Sequence, residues 1–193
     1  MSHLSFRNEL IRKGIHLCNS VIAFSLYVLD KADVLLIVGV VGFFVITFDC
    51  IRINNKAARD LYNSFFGRVT RDFESSKLTG ASYVMLGSFV VLLFFDTKIC
   101  IPALLIMSFS DTAAAIIGKA YGQTKIFNKS LEGSFAFLIV SLIIVVLFIP
   151  DIDLFYSIVA VIVVTIVELV PKYGLDDNLL IPIIAALIMS IGA

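Results

Sequence analysis

No charged residue interrupts the chain between Asp33 and Asp49, and the run Val34 to Phe48 is one of seven apolar stretches. A hydrocarbon core about 30 Å thick is crossed by about 20 residues of helix. Inside it every backbone N–H and C=O has to be bonded within the segment, which leaves helix as the conformation for such runs. The other stretches are Gly14 to Leu29, Leu78 to Phe95, Ile99 to Gly118, Leu131 to Ile149, Ile152 to Val170 and Leu179 to Ala193. The expected fold class is therefore all-α: a polytopic integral membrane protein with about seven transmembrane helices. Composition agrees, with 60% hydrophobic and 16% charged residues and a mean hydropathy of +1.02. A soluble domain of this size needs more polar cover. The formal net charge of zero leaves no overall field to attract nucleic acid.

Two segments are not spans. Ser2 to Lys13 is polar and reads as an interfacial helix leading into the first run. Asn54 to Lys77 interleaves Lys56, Arg59, Arg68, Arg71 and Lys77 with Leu61, Tyr62, Phe65, Phe66 and Phe73. Basic residues alternating with aromatics predict an amphipathic helix lying in the head-group plane. No repeat or low-complexity tract divides the chain, so residues 1–193 read as one domain. Met1 to His16 lacks the apolar core and small-residue site of a cleavable leader, and none is expected. Cys18, Cys50 and Cys100 stand far apart, without metal-ligand spacing, and read as small apolar residues.

With seven spans the connections alternate sides. Thirteen basic residues fall on one side: Arg7, Arg12, Lys13, Arg52, Lys56, Arg59, Arg68, Arg71, Lys77, Lys119, Lys125, Lys129 and Lys172. Only Lys31 and Lys98 fall on the other. The bias makes the first side, with the N-terminus, cytoplasmic. Asp30, Asp33, Asp96, Asp151 and Asp153 sit in short outer turns, where they end helices. Asp49, Asp111, Glu132, Glu168, Asp176 and Asp177 lie near the cytoplasmic ends of spans, and an ionisable group inside a span is a functional candidate.

Four constellations gather on that side. In Ser110-Asp111-Thr112-Ala113-Ala114-Ala115, Asp111 lies about two turns inside the fourth run. The alanines permit close approach by a neighbouring helix, and Gly118 and Gly122 continue the small-residue face against which a polar ligand can lie. Lys125 to Ser134 brings lysines, a hydroxyl and a helix start together, which suits a phosphate. Ser130 is placed to cap the fifth run, and Glu132 to bind a metal or hold Lys129. The segment is not a Walker A loop, which needs glycine where Asn128 stands. Glu9, Arg12, Lys13 and His16 share one helical face at i, i+3, i+4 and i+7. Glu168 is followed by Asp176-Asp177-Asn178, three oxygen-rich side chains at a helix start that offer ligands for Mg²⁺ or act as a helix cap.

These motifs resemble the polyprenol kinase family, which includes dolichol kinase, phytol kinase and the CTP-dependent diacylglycerol kinase of fungi. The likeness rests on Glu9-x-x-Arg12-Lys13-x-x-His16, Ser110-Asp111-Thr112-Ala113-Ala114 with Gly118 and Gly122, Lys129-Ser130-x-Glu132-Gly133-Ser134, and Asp176-Asp177-Asn178-Leu179 with Pro182. It runs in order over nearly the whole chain, and the block from Asp111 to Ser134 is its most specific part. It implies a membrane lipid-alcohol kinase using CTP and a divalent cation. Carried over by position, Asp111, Lys129, Ser130, Glu132 and Gly133 belong to the nucleotide and metal site, joined by Asp177 and Asn178.

The resulting expectation is transfer of the γ-phosphate of CTP to the hydroxyl of a prenol, polyprenol or diacylglycerol at the cytoplasmic face. Asp111, Lys129 and Glu132 are the catalytic candidates. Lys119, Ser130, Gly133, Ser134, Gly118, Gly122, Arg12, Lys13 and His16 are the nucleotide and phosphate candidates. Asp111, Glu132, Asp176, Asp177 and Asn178 are the candidates for Mg²⁺. Two other readings stand beside it. One is phosphatidate cytidylyltransferase, attacking the α-phosphate, although the Lys-Arg and His-Gly-Gly signature of that enzyme is absent. The other is a small ion-coupled transporter, against which the one-sided clustering of acids argues.

Overall fold

A computed structural model describes residues 5–70, 76–148, 152–170 and 175–193. It is mostly helical. The order is α1 (Phe6–Leu17), α2 (Ser20–Ser25), α3 (Lys31–Asn54), α4 (Lys56–Phe66), α5 (Gly80–Phe94), α6 (Thr97–Leu105), a π turn (Ile106–Ser110) and α7 (Asp111–Tyr121). A hairpin of β1 (Lys125–Ile126) and β2 (Lys129–Ser130) leads to α8 (Leu131–Phe148), α9 (Leu154–Leu169) and α10 (Asp177–Met189), with a final 3₁₀ turn at Ser190–Gly192.

Among the described residues, three helices are long and apolar enough to cross a membrane: α3, the continuous α6–π–α7 helix over Thr97–Tyr121, and α8. The apolar helices at Gly80–Phe94, Leu154–Leu169 and Asp177–Gly192 are shorter. The first run departs from expectation. A single helix, α1, runs from Phe6 through the polar segment into the apolar run and breaks after Leu17, where Asn19 N–H bonds to His16 O and Val21 N–H to Cys18 O in tight turns. Asp30, Asp96 and Asp153 occupy the N-cap positions of α3, α6 and α9, and Asp153 accepts from Phe155 N–H at 2.8 Å. Asp151, Arg71, Phe73 and Lys172 lie outside the described residues.

The α6–α7 helix is central, with 67% of its apolar window buried against 22% for α3. Ile99, Leu104, Leu105, Ile106 and Met107 are buried on every side of it. On α3, by contrast, Leu36, Val40, Phe43 and Phe44 are exposed. An apolar face of that extent is stable against acyl chains and not against water. Pro102 removes one N–H from the ladder of α6, and the π turn follows within four residues. Such turns occur mostly as single inserts in longer helices, often at functional sites. Here it ends at Ser110, so Asp111 begins the helix beyond it.

Around this axis α7 packs against α8 and α1, and α10 against α9 and α5. The predicted interfacial segment contributes α4, which has no buried residue and exposes Leu61, Phe65 and Phe66. It is anchored to the end of α3. Arg52 is fully buried, bonds Asp49 at 3.0 Å and Lys77 O at 2.8 Å, and lies 4.7 Å from the centre of the Tyr62 ring. The other oxygen of Asp49 accepts from Thr79 N–H, Thr79 Oγ1 and Ser82 Oγ at 2.6–2.7 Å. This buried acid is therefore saturated with donors and ties α3 to the start of α5.

Candidate active site

The site has two halves. The first is made by α1 and α7. Ser5 caps α1 by accepting from Asn8 N–H at 3.2 Å, and the helix that follows is amphipathic in an inverted sense. Glu9, Lys13 and His16 are buried while Phe6, Leu10, Ile11 and Ile15 are exposed. Lys13 Nζ donates to Asp111 Oδ2, and His16 Nε2 lies 3.3 Å from the same oxygen. His16 Nε2 also donates to Met107 O at 3.1 Å, reaching a carbonyl of the π turn. Arg12 pairs with Glu9 on the same helix. A buried carboxylate is costly unless paired and hydrogen-bonded; Lys13 and His16 meet both needs.

The second half joins the hairpin to three helices. Ser130, at the end of β2, accepts from Gly133 N–H at 3.2 Å and so caps α8. One residue earlier, Lys129 Nζ donates to Glu168 Oε1 at 2.6 Å and to Asp177 Oδ2 at 2.7 Å. Ser134 Oγ donates to the second oxygen of Glu168 at 2.8 Å. A single ammonium thus ties β2 to the end of α9 and the start of α10. The halves adjoin: Lys129 lies within electrostatic range of Asp111, and α8 meets α7 at Gly133 and Ala114.

Several expected residues have different neighbours from those the sequence suggested. Glu132 holds the loop, with Oε1 accepting from Thr124 N–H at 3.0 Å, while Lys129 is taken by Glu168 and Asp177. The buried Oε2 of Glu132 has no hydrogen-bond partner among the described residues. Asp176 accepts from Asn178 N–H at 2.9 Å as the N-cap of α10, and Asn178 Nδ2 donates to Gly80 O at 3.4 Å. Both are engaged in positioning α10. The small-residue face is filled by protein. A Cβ on Gly118 would lie 2.8 Å from Ser130 Oγ, one on Gly122 2.6 Å from the same atom, and one on Gly133 2.8 Å from Ala114 O. These glycines let α7 and α8 approach and carry Ser130 against α7. Lys119 lies exposed near the end of α7.

Glu168 is a full member of the second half, although the sequence marked it only as an acid beside the Asp-Asp-Asn run. Its signal was an ionisable residue near the end of an apolar run whose one other charge, Asp153, stands at the opposite end. Ser110, bonded to Ser141 Oγ at 2.8 Å, links the π turn to α8. Among the described residues no group of three or more His, Cys, Asp or Glu side chains gathers at one point.

The chain is 31% identical over 188 residues to an uncharacterized protein of Rickettsia prowazekii, a match covering 92% of this chain and 91% of that one. It is 27% identical over 213 aligned positions to CTP-dependent diacylglycerol kinase 1 of Schizosaccharomyces pombe, covering 97% and 95%. It is 34% identical over 137 residues to CTP-dependent diacylglycerol kinase 1 of Saccharomyces cerevisiae, covering 67% of this chain and 47% of that protein. No family model and no solved structure matches the chain.

Proposed function

The chain belongs to the family of these relatives, whose named members are CTP-dependent diacylglycerol kinases, and on that premise we propose that it transfers the γ-phosphate of CTP to the hydroxyl of a membrane lipid. It is a phosphotransferase of the lipid-kinase kind. The acceptor in this reading is a lipid alcohol, a diacylglycerol or a prenol, reached from the cytoplasmic face of a seven-span, single-domain protein. The excess of basic residues on one side of the seven runs supports that orientation. The observation that carries the reading is a pair of adjoining charged clusters, Asp111 held by Lys13 and His16, and Lys129 held by Glu168 and Asp177, with Lys129 close enough to Asp111 to act on its charge.

Phosphoryl transfer asks for positioning and charge neutralisation more than for covalent help from the protein. Lys129 and the exposed Lys119 supply positive charge for the phosphates of the nucleotide, while buried Ser130 fixes the start of α8 beside them. Asp111 is the base: as the lipid oxygen bonds to the γ-phosphorus and the bond to the β-phosphate oxygen breaks, the hydroxyl proton passes to its carboxylate and CDP leaves. Lys13 and His16 hold that carboxylate in one orientation. The outward apolar face of α1 puts acyl chains beside this pair.

The residues fit a divalent cation. Glu168 and Asp177 aim two carboxylates at a single point, where the Lys129 ammonium lies, and Mg²⁺ takes one or two carboxylates together with phosphate oxygens and water. Held by Glu168 and Asp177, such a cation would neutralise charge on the nucleotide phosphates.

The test is to incubate the purified protein with Mg²⁺, a lipid extract and CTP labelled at the α or the γ position. Label entering lipid from γ and not from α supports the kinase, and the labelled lipid names the acceptor. Label from α with release of pyrophosphate would make it a cytidylyltransferase and overturn this reading. Proton-coupled uptake into vesicles with no lipid labelling would replace it by transport.

A further inference from the structure

The hairpin that carries Lys129 and Ser130 turns through Phe127 and Asn128, since Ile126 pairs with Lys129 and Lys125 with Ser130. Phe127 has φ of 54°. Two-residue hairpin turns that need positive φ are filled by Gly, Asn or Asp, because a Cβ there crowds the backbone and a bulky side chain is the worst case. Asn stands one position later, so the aromatic occupies the strained place. The ring gains nothing from packing to offset this, being 67% exposed. Local strain held by the surroundings is characteristic of functional sites.

Resting on the kinase reading above, the geometry points to Phe127 as the platform on which the pyrimidine base of the nucleotide stacks. Lys125 and Lys129 flank it, and Lys129 and Ser130 are the phosphate candidates. The ring is two residues from Lys129, so the hairpin presents an aromatic face and the phosphate-binding groups along one edge, as base and phosphates lie along one nucleotide. A base stacks on an aromatic face without hydrogen-bond readout. A mere membrane anchor has no use for a backbone strained at one fixed turn position, whereas a stacking platform depends on where the turn sets the ring beside Lys129.

The experiment compares Phe127→Gly, Phe127→Tyr and the unaltered full chain in mixed micelles with Mg²⁺. CTP and inorganic tripolyphosphate compete against a fluorescent CTP analogue, and KM and kcat are measured alongside. Glycine suits positive φ, so Phe127→Gly relieves strain and any loss is not misfolding. The expected result is CTP binding and KM weakened about tenfold with kcat little changed. Tyrosine should retain affinity, and tripolyphosphate should bind both chains alike. Equal CTP affinity in Phe127→Gly and the unaltered chain overturns the platform, and so does a parallel loss for tripolyphosphate. Failure of the unaltered chain to bind CTP at all overturns the kinase reading itself, and this inference with it.

Discussion

Lys13 and Asp111 stand 98 positions apart in the chain and form one buried ion pair, with side chains 3% and 13% exposed. Removing one partner of such a pair leaves the other charge buried and uncompensated, at a cost of about 3–5 kcal/mol. Asp111→Asn is therefore expected to lower thermal stability in detergent as well as abolish lipid phosphorylation. Adding Lys13→Met removes the stranded ammonium and should restore most of the stability while activity stays absent. Activity returning in the double variant would show that Asp111 serves packing alone.

Lys129 bridges Glu168 and Asp177, so Lys129→Met leaves two carboxylates facing each other and takes a cation from the phosphates. Losing a group that stabilises developing charge costs about a hundredfold or more in kcat. Steady-state kinetics with CTP should show that fall together with a raised KM; kinetics matching the unaltered chain would remove Lys129 from the site.

Two glycines in the recognised motifs should behave in opposite ways. An added Cβ at Gly133 would meet Ala114 O at 2.8 Å and Gly118 Cα at 3.1 Å, both backbone atoms that cannot step aside. Gly133→Ala should separate α7 from α8 and cost about 1–3 kcal/mol, as overpacking does. At Gly14 nothing lies within 4 Å of the added atom, and Gly14→Ala in that helix should stabilise by about 0.5–1 kcal/mol. Thermal melts of the purified variants would rank them, and equal melting points would disprove the packing role of Gly133.

The chain has no tryptophan, so Phe65→Trp in α4 supplies a single fluorophore at a position 74% exposed. If α4 lies in the head-group plane, its emission should be blue-shifted in vesicles and quenched by lipids brominated near the top of the acyl chain. Emission characteristic of water, insensitive to bromine, would mean a solvated loop helix.

Much of this architecture was legible before any coordinates. Hydropathy and the one-sided lysines and arginines are properties of single segments, and the helices follow the apolar runs because a lipid-embedded backbone has no other way to bond itself. The face shared by Glu9, Lys13 and His16 came from helical spacing alone. What each acid touches did not. Nothing local says that Lys129 passes over nearby Glu132 for Glu168 and Asp177, that Asp49 is saturated by Thr79 and Ser82, or that Gly118 and Gly133 meet each other and leave no face for a ligand. Nor does a hydropathy run reveal the break after Leu17 or the π turn before Asp111. Such pairings depend on which helices become neighbours and at what rotation. That is decided by the packing of small residues between helices and by the need of every buried charge for a partner, and both are properties of the assembled bundle.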